Sequence, residues 1–313
     1  MRQRDTVMDL FNTKKRKRAE KRSGRRQKKT KRQRDQHVTC GPVMEEPTPV
    51  RDPWNTLKKI DDCLQTFEEY GQEAYFFNKG LEKDFSPSGF LANQHEIDPT
   101  LWQEVINILI KVHRHFSFDF SNLSLAVNYM ARYISHRQVK ATILKPLGAT
   151  CLYLATKIMH RNRPSVEEFL ELFGEACYTP EYIAYVEKNL IYQLEFRLQA
   201  PTIDFFLEHF SLMRVSSEKC SKSNITRAAN ALTAARGIAA LAMSKYDFHS
   251  YLPSLLAQCC LKAADQILGY NNPDEEYLGD YPAHLMQECL EKTFLLVSAN
   301  KNFLQQLMPE VFP

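Results

Sequence analysis

The stretch Leu144-Lys-Pro-Leu-Gly-Ala-Thr-Cys-Leu-Tyr-Leu-Ala-Thr-Lys-Ile158 decides the fold. It is apolar on nearly every side when drawn as a helix, and such a helix lies in the middle of a bundle. Its small residues Gly148 and Ala155 let neighbouring helices approach closely, and Pro146 is expected to kink the helix or delay its start. The charged residue that closes it, Lys157, needs a partner or a functional reason.

The surrounding sequence predicts helices and not strands. Only 10 Gly in 313 residues and few alternating apolar runs argue against an all-β fold. Capping residues mark three helix starts, at Asp98-Pro99, Ser165-Val-Glu-Glu168 and Thr179-Pro180. Together with the apolar periodicity they predict five helices over residues 98–199.

The remainder of the chain, residues 200–313, reads as a weaker second copy. Leu252–Leu261 echoes Leu144–Leu152, about 107 residues earlier. Periodicity predicts helices at Pro201–Phe210, Ala228–Ser244, Tyr251–Leu268 and Tyr281–Asn300. We therefore expect an all-α fold of two tandem five-helix units.

Two segments precede these units. Residues 1–35 carry 16 Lys/Arg and 4 Asp/Glu, a charge of +12, whereas the whole chain carries +4 and the remaining 278 residues therefore −8. Such a charge density with little to bury predicts that residues 1–53 are a disordered basic tail and Pro-containing linker. A periodic apolar pattern then predicts an N-terminal helical extension over 54–97.

Several functional classes are disfavoured. The eight cysteines form no CxxC pair and suit buried thiols in a reducing compartment. The N-terminus is polar, and no run reaches the roughly 18 apolar residues of a membrane span, so neither secretion nor a membrane is expected. No Gly-rich phosphate loop, nucleophile elbow or carboxylate pair indicates an enzyme. His113 and His115 lie on different helix faces, so no metal is expected.

Five sequence blocks together resemble the cyclin family: Leu125–Tyr133, Leu152–Lys157, Tyr185–Leu190, Phe196–Phe210 and Tyr251–Ala257. The resemblance covers roughly residues 54–313. It implies two cyclin boxes and a non-catalytic subunit, without a cofactor, that binds and activates a cyclin-dependent protein kinase. The last two blocks are most similar to one subtype, which implies control of multiciliated-cell differentiation more than of the dividing-cell cycle.

The resemblance also implies a kinase-binding site. In the family a Lys at the end of the third helix and a Glu in the fifth bond the kinase backbone beside its regulatory helix, and these positions are Lys157 and Glu187. The implied apolar neighbours are Leu154, Ile158, Phe196 and Leu198. From the residues alone, Lys157 can also be interpreted as a snorkelling lysine at the end of a buried helix, and Glu187 as a solvated charge on a helix surface.

The chain departs from the family pattern at a buried ion pair. Many cyclins pair an Arg of the first helix with an Asp of the second, where this chain has Trp102 and Ala131. Losing both members avoids a stranded buried charge, which would cost roughly 3–5 kcal/mol. We expect a unit repacked around Trp102.

A second departure concerns substrate docking. The substrate-docking patch of the family corresponds to Leu101, Val105 and Ile108, and Lys111 stands where a Glu usually receives a basic motif. The reversed charge predicts weak or altered docking of such motifs.

The basic tail and the fold leave alternatives open. Nuclear import is the favoured reading of the tail, through a signal at Lys14, Lys15, Arg16, Lys17 and Arg18 that an import receptor would bind. Nonspecific binding of nucleic acid or another polyanion, or improved solubility, are the alternatives. The chain would then reside in the nucleus, the cytoplasm or both. The competing function is a cyclin-fold scaffold for transcription or nucleic-acid-associated proteins that binds no kinase. Ser86-Pro87 and Thr48-Pro49 remain open as proline-directed phosphorylation sites.

Overall fold

The computed structural model describes residues 56–159, 163–173, 179–216, 221–270 and 281–309, with side chains from Cys63 onward. The described residues form helices and turns and contain no strand. The helices are α1 Thr56–Leu81, α2 Pro99–His115, α3 Phe120–His136, α4 Ala141–Met159, α5 Val166–Glu171, α6 Pro180–Gln193, α7 Ile203–Met213, α8 Lys222–Ser244, α9 Pro253–Ile267, α10 Ala283–Ala299 and α11 Lys301–Leu307. After the extension α1, α2–α6 form the first unit and α7–α11 the second, which confirms the predicted all-α fold of two five-helix units. The basic tail lies outside the described residues.

The predicted capping residues start the helices of the first unit. The Asp98 side chain accepts a hydrogen bond from the backbone N–H of Leu101 at 2.7 Å, and Pro99 follows as the first helical residue. Ser165 and Glu168 form the reciprocal capping box before α5. Each cap satisfies an N–H that the helix itself leaves without an acceptor.

In the second unit, periodicity located four of the five helices. Helix α8 begins at Lys222, six residues before the predicted start, because Ser221 accepts a hydrogen bond from Asn224 N at 3.2 Å and caps it. The short α11 was expected only because the family fold requires it. Its seven residues are too few to show a helical period.

Helix α4 lies in the centre of the first unit, as its apolar composition predicts. A methyl group on Gly148 would come within 3.0 Å of Val105 and 3.3 Å of Met130, so glycine is what lets α2 and α3 pack this closely on α4. Cys151 is fully buried, which raises the pKa of its thiol. Pro146 lies inside α4 and does not delay its start at Ala141.

Trp102, which stands where the family has an Arg, is fully buried between the two units. Its Nε1 donates to the carbonyl oxygen of Met243 at 3.2 Å, and its ring lies 4.6 Å from that of Phe90 and 5.3 Å from that of His249. We expected Trp102 to fill the core of the first unit alone. The structure corrects this expectation, because Trp102 also packs against the second unit. Ala131 lines a cavity of about 80 Å³ between the units.

A buried ion pair occurs in the second unit instead. Arg236 of α8 is fully buried, and its Nε donates to Asp204 of α7 at 2.8 Å. A second carboxylate, Glu208, which is 40% exposed, accepts from Arg236 Nη2. Burial alone would lower the pKa of Arg236, but the two carboxylates outweigh burial and raise it.

Helix α1 packs against α7 and α8 of the second unit. Tyr75 of α1 stacks on His209 of α7, with ring centroids 4.6 Å apart and planes tilted by 20°. Nε2 of His209 is buried without a hydrogen-bond partner among the described residues. Burial lowers the pKa of this imidazole from 6.5 to about 4.

The turn after α1 adds a polar contact to the second unit. Glu82 is 1% exposed, and its carboxylate accepts hydrogen bonds from Ser254 N at 3.1 Å and Ser254 Oγ at 3.0 Å. Ser254 lies in the first turn of α9, whose own N-cap residue Leu252 has no side-chain acceptor. Glu82 thus caps α9 from 172 residues earlier in the chain. Lys79, with its Nζ 2.8 Å away, compensates the buried charge.

The buried pair gives a stability prediction. Arg236→Met would strand the Asp204 carboxylate, and we expect it to lower the free energy of unfolding by about 3–5 kcal/mol. The double variant Arg236→Met/Asp204→Leu removes both buried charges and should lose clearly less. Urea denaturation followed by circular dichroism measures both variants, and equal losses would contradict this account.

The buried imidazole predicts a pH dependence. Between pH 4 and 6.5 the unfolded chain binds a proton at His209 that the folded chain does not, so stability is complete above about pH 6.5 and falls as the pH drops towards 4. His209→Phe keeps the stacking on Tyr75 and removes the proton site. Urea denaturation at several pH values should show a slope smaller by up to about 1.4 kcal/mol per pH unit. An unchanged slope would exclude His209 as its source.

Candidate partner-binding surface

The two charged residues singled out in the sequence lie together. Lys157, in the last turn of α4, donates from Nζ to both carboxylate oxygens of Glu187 in α6, at 2.8 and 2.6 Å. The Lys157 side chain is 32% exposed and that of Glu187 14% exposed. The fold therefore brings an ammonium and a carboxylate, thirty residues apart, to one place on the surface of the first unit.

The resemblance implies that Lys157 and Glu187 both bond the kinase backbone. In this structure the two groups bond to each other, at an accessible surface. An ammonium has three protons, of which this pair uses two, and a carboxylate has about four acceptor positions. Lys157 can donate a further bond, and Glu187 can accept one, without breaking the pair.

The predicted apolar neighbours divide into two groups. Ile158 is 36% exposed and Phe196 is 65% exposed, so both are available to a partner. Leu198 is half-buried, and Leu154 is only 3% exposed. Leu154 therefore belongs to the core of the first unit and not to the surface, because it points inward from a helix that is buried over most of its length.

Sequence reasoning missed other exposed apolar side chains in this region. Met159 follows Ile158 and is 45% exposed. Tyr192 of α6 is 58% exposed, and its ring centroid lies 5.4 Å from that of Phe196 in an edge-to-face arrangement. Tyr185, also of α6, is 65% exposed. The helical periodicity of the sequence could have predicted this exposure, since both tyrosines lie off the apolar face that α6 turns to the core.

The turn that presents Phe196 has an unusual backbone. Helix α6 ends in a Schellman motif, in which Phe196 N donates to Ile191 O and Glu195 N to Tyr192 O, at 3.1 and 3.0 Å. Glycine normally occupies the left-handed position of this motif, but here Glu195 has φ 54° and Phe196 φ 58°. Two successive left-handed non-glycine residues are strained and persist only where the surroundings hold them.

Helix α3 supplies that support. Tyr129 Oη donates to Leu198 O at 2.5 Å, and Arg132 Nη1 donates to Arg197 O at 2.9 Å. A longer contact of 3.4 Å joins Arg132 Nη2 to Leu194 O. The strained turn is therefore anchored on both sides of Phe196.

The predicted docking patch is less open than expected. Val105 is 3% exposed and packs against α4 at Gly148, so it belongs to the core and not to the patch. Leu101 and Ile108 are half-buried, while Lys111 is exposed. What remains at the surface is a shallow apolar strip beside a positive charge.

The other predicted features add no site. The import signal at Lys14–Arg18 lies outside the described residues. His113 is buried, and its Nε2 lies 2.9 Å from Asp119 O. Within the described ranges, no group of His, Cys, Asp and Glu is arranged to hold a metal ion. No helix described is both long and apolar enough to cross a bilayer.

Comparison with known proteins identifies the family. Residues 74–199 match the cyclin N-terminal domain and residues 201–309 the cyclin C-terminal domain. The Xenopus laevis protein Cyclin-O protein B is 39% identical over 89% of this chain and 76% of its own length, and Homo sapiens Cyclin-O is 37% identical over 84% and 73%. The crystal structure of a viral cyclin from herpesvirus saimiri covers 78% of this chain and 96% of its own, with a TM-score of 0.59. At 17% identity it shows the fold alone.

The two five-helix units are thus cyclin boxes, and the chain belongs to the cyclin family. Cyclins are regulatory, non-catalytic subunits of protein kinases. The subtype indicated by the blocks Phe196–Phe210 and Tyr251–Ala257 is cyclin O, and the similarity to the cyclin-O proteins agrees with it.

Proposed function

We propose that this chain binds a cyclin-dependent protein kinase through the surface around Lys157 and Glu187 and holds the kinase's regulatory helix in the active position. The observation that carries the proposal is a paired donor and acceptor at an accessible surface, on the unit that also exposes Ile158 and Phe196. The apolar side chains would supply burial, and the ion pair would orient the helix by bonding its backbone.

The mechanism is a shift of population. A kinase is inactive while the Glu of its regulatory helix stays away from the catalytic Lys. A partner that binds only the inward helix position moves this equilibrium by its differential affinity. A change from 1:99 to 99:1 requires about 5.5 kcal/mol, which lies within reach of an interface of about 1,600 Å².

The pre-arranged surface favours such binding. Lys157 and Glu187 are already ordered by each other, and the turn at Phe196 is already anchored by Tyr129 and Arg132. Ordering side chains at an interface costs about 0.5–1.5 kcal/mol for each flexible one, and that cost is reduced here.

Similarity and charge support a proposal for the cellular setting of this activity. The likeness to cyclin-O proteins supports a role in multiciliated-cell differentiation or the cell cycle. The +12 charge of residues 1–35 supports recognition of the signal at Lys14–Arg18 by an import receptor, with the protein in the nucleus as well as the cytoplasm.

The ion pair provides the test of kinase binding. We expect Lys157→Ala/Glu187→Ala to weaken binding of the kinase at least about 30-fold, a loss typical of interface hot spots. The free energy of unfolding should change by only about 1 kcal/mol, because the pair is partly exposed. Affinity purification from cells, followed by titration of the kinase recovered, measures the first effect, and urea denaturation the second.

A matched control uses the exposed pair Lys292–Glu288 of α10, with N–O distance 2.9 Å. Lys292→Ala/Glu288→Ala should leave kinase binding unchanged. If the chain recovers transcription factors or nucleic acid and no kinase, the scaffold function replaces the one proposed. If both double variants bind the kinase equally, Lys157 and Glu187 do not form the contact with the kinase.

The docking patch gives a separate prediction. We expect a peptide with a basic-x-leucine motif to bind the chain weakly, since Lys111 repels the basic residue, and Lys111→Glu to tighten binding about tenfold. Fluorescence anisotropy with the labelled peptide measures this change. Lys222→Glu, the same charge change at the start of α8, should have no effect. Tight binding that Lys111→Glu does not improve would refute the prediction.

A further inference from the structure

A polar cavity of about 550 Å³ opens where the turn after α1 meets the ends of α3 and α6. Its lining contains the cationic side chains Lys83, Arg132 and Arg197 together with His136, and the carboxylates Asp84 and Glu195. The hydroxyl-bearing residue Ser86 lines the same cavity. Cations outnumber carboxylates here even with the imidazole neutral.

The two guanidinium groups are held beside Ser86 by the preceding residue. Cζ of Arg132 lies 4.7 Å, and Cζ of Arg197 4.4 Å, from the ring centroid of Phe85. Ser86, Arg132 and Arg197 line the same cavity, so a group attached to Ser86 shares that space with both guanidiniums.

The charge of these arginines is only partly compensated. No carboxylate forms a salt bridge with Arg132 within the part of the chain that the structure describes, and its two hydrogen bonds to carbonyl oxygens use two of its five N–H protons. Burial, and then the neighbouring Arg197, lower the pKa of Arg132 to about 10. Among the described residues, the salt-bridge partner of Arg197 is the exposed Asp84, at 3.7 Å.

Ser86 is also placed to be modified. It precedes Pro87, is half-buried, and has a non-helical backbone with φ −109° and ψ 88°. The next two residues, Ser88 and Gly89, are exposed. A Ser-Pro sequence in a partly exposed, non-helical turn is a candidate substrate for a proline-directed kinase.

We infer that Ser86 is a phosphorylation site and that its phosphate binds between Arg132 and Arg197. The Ser86 oxygen attacks the γ-phosphorus of ATP on a proline-directed kinase, and an O–P bond forms as the bond to the β-phosphate oxygen breaks. ADP leaves, and the hydroxyl proton passes to the catalytic Asp of the kinase. The product carries nearly two negative charges and three acceptor oxygens, which the planar donors of guanidinium groups match.

The modification would act on the kinase-binding surface, a consequence that rests on the proposed function. Arg197 lies between Phe196 and Leu198, in the strained turn. A phosphate bonded to Arg197 adds a third anchor to that turn and strengthens binding of the kinase.

The test uses the full chain treated with a proline-directed kinase and Mg-ATP, with the modified residue identified by mass spectrometry. Ser86→Ala should abolish modification at this site. In ³¹P NMR titrations the phosphate pKa should fall from about 6 to about 5, because two cations favour its dianion. Arg197→Gln and Arg132→Lys should each move that pKa back towards 6, and circular dichroism checks that each variant keeps its helices.

Failure to phosphorylate Ser86 in the folded chain would overturn the inference, as would a phosphate pKa near 6 that neither arginine variant changes. Titration of the kinase with the modified and unmodified chains tests whether the phosphate strengthens kinase binding. If the phosphate binds the arginines but the affinity for the kinase is unchanged, only the effect on kinase binding is refuted. If neither form of the chain binds the kinase, the proposed function is refuted.

Discussion

The carboxylate of Glu82 joins parts of the chain that are far apart in sequence. It lies at the end of the N-terminal extension, yet it caps a central helix of the second box and is neutralised by Lys79 one turn before it. A buried carboxylate is stable only when such partners surround it. The extension is therefore part of the folded core, and its last turn has one permitted position.

That position determines where the following residues lie. Three residues after Glu82, the ring of Phe85 packs against the guanidinium groups of Arg132 and Arg197, which connects the extension to the first box and to the turn after α6. Arg132 in turn bonds the carbonyl groups of that turn. The strained backbone at Phe196 is thus supported by helix α3, which itself contacts the extension, and strain persists only under such constraint.

The sequence predicted the parts of this arrangement that depend on local pattern or on family motifs. The capping residues and the central helix around Gly148 are of this kind. The family motifs assigned Lys157 and Glu187 to one site, but they did not predict that the two residues bond to each other. It could not predict contacts set by tertiary packing. A helical period does not tell that Leu154 and Val105 are enclosed, nor that Trp102 serves the second box. Arg236 and Asp204 gave no signal because each is an ordinary charge until the fold buries both.

Magnitudes show that the predicted contact residues are too few. Full burial of a large apolar side chain contributes about 1.5–3 kcal/mol, so covering the exposed parts of Phe196 and Ile158 contributes about 3 kcal/mol in all. The bonds from the ion pair to the helix backbone add about 2 kcal/mol, which corresponds to the roughly 30-fold loss expected for the double variant. The shift of a kinase from mostly inactive to mostly active needs about 5.5 kcal/mol. More apolar surface must therefore be covered, and Met159 and Tyr192, which adjoin Ile158 and Phe196, are exposed and able to contribute it.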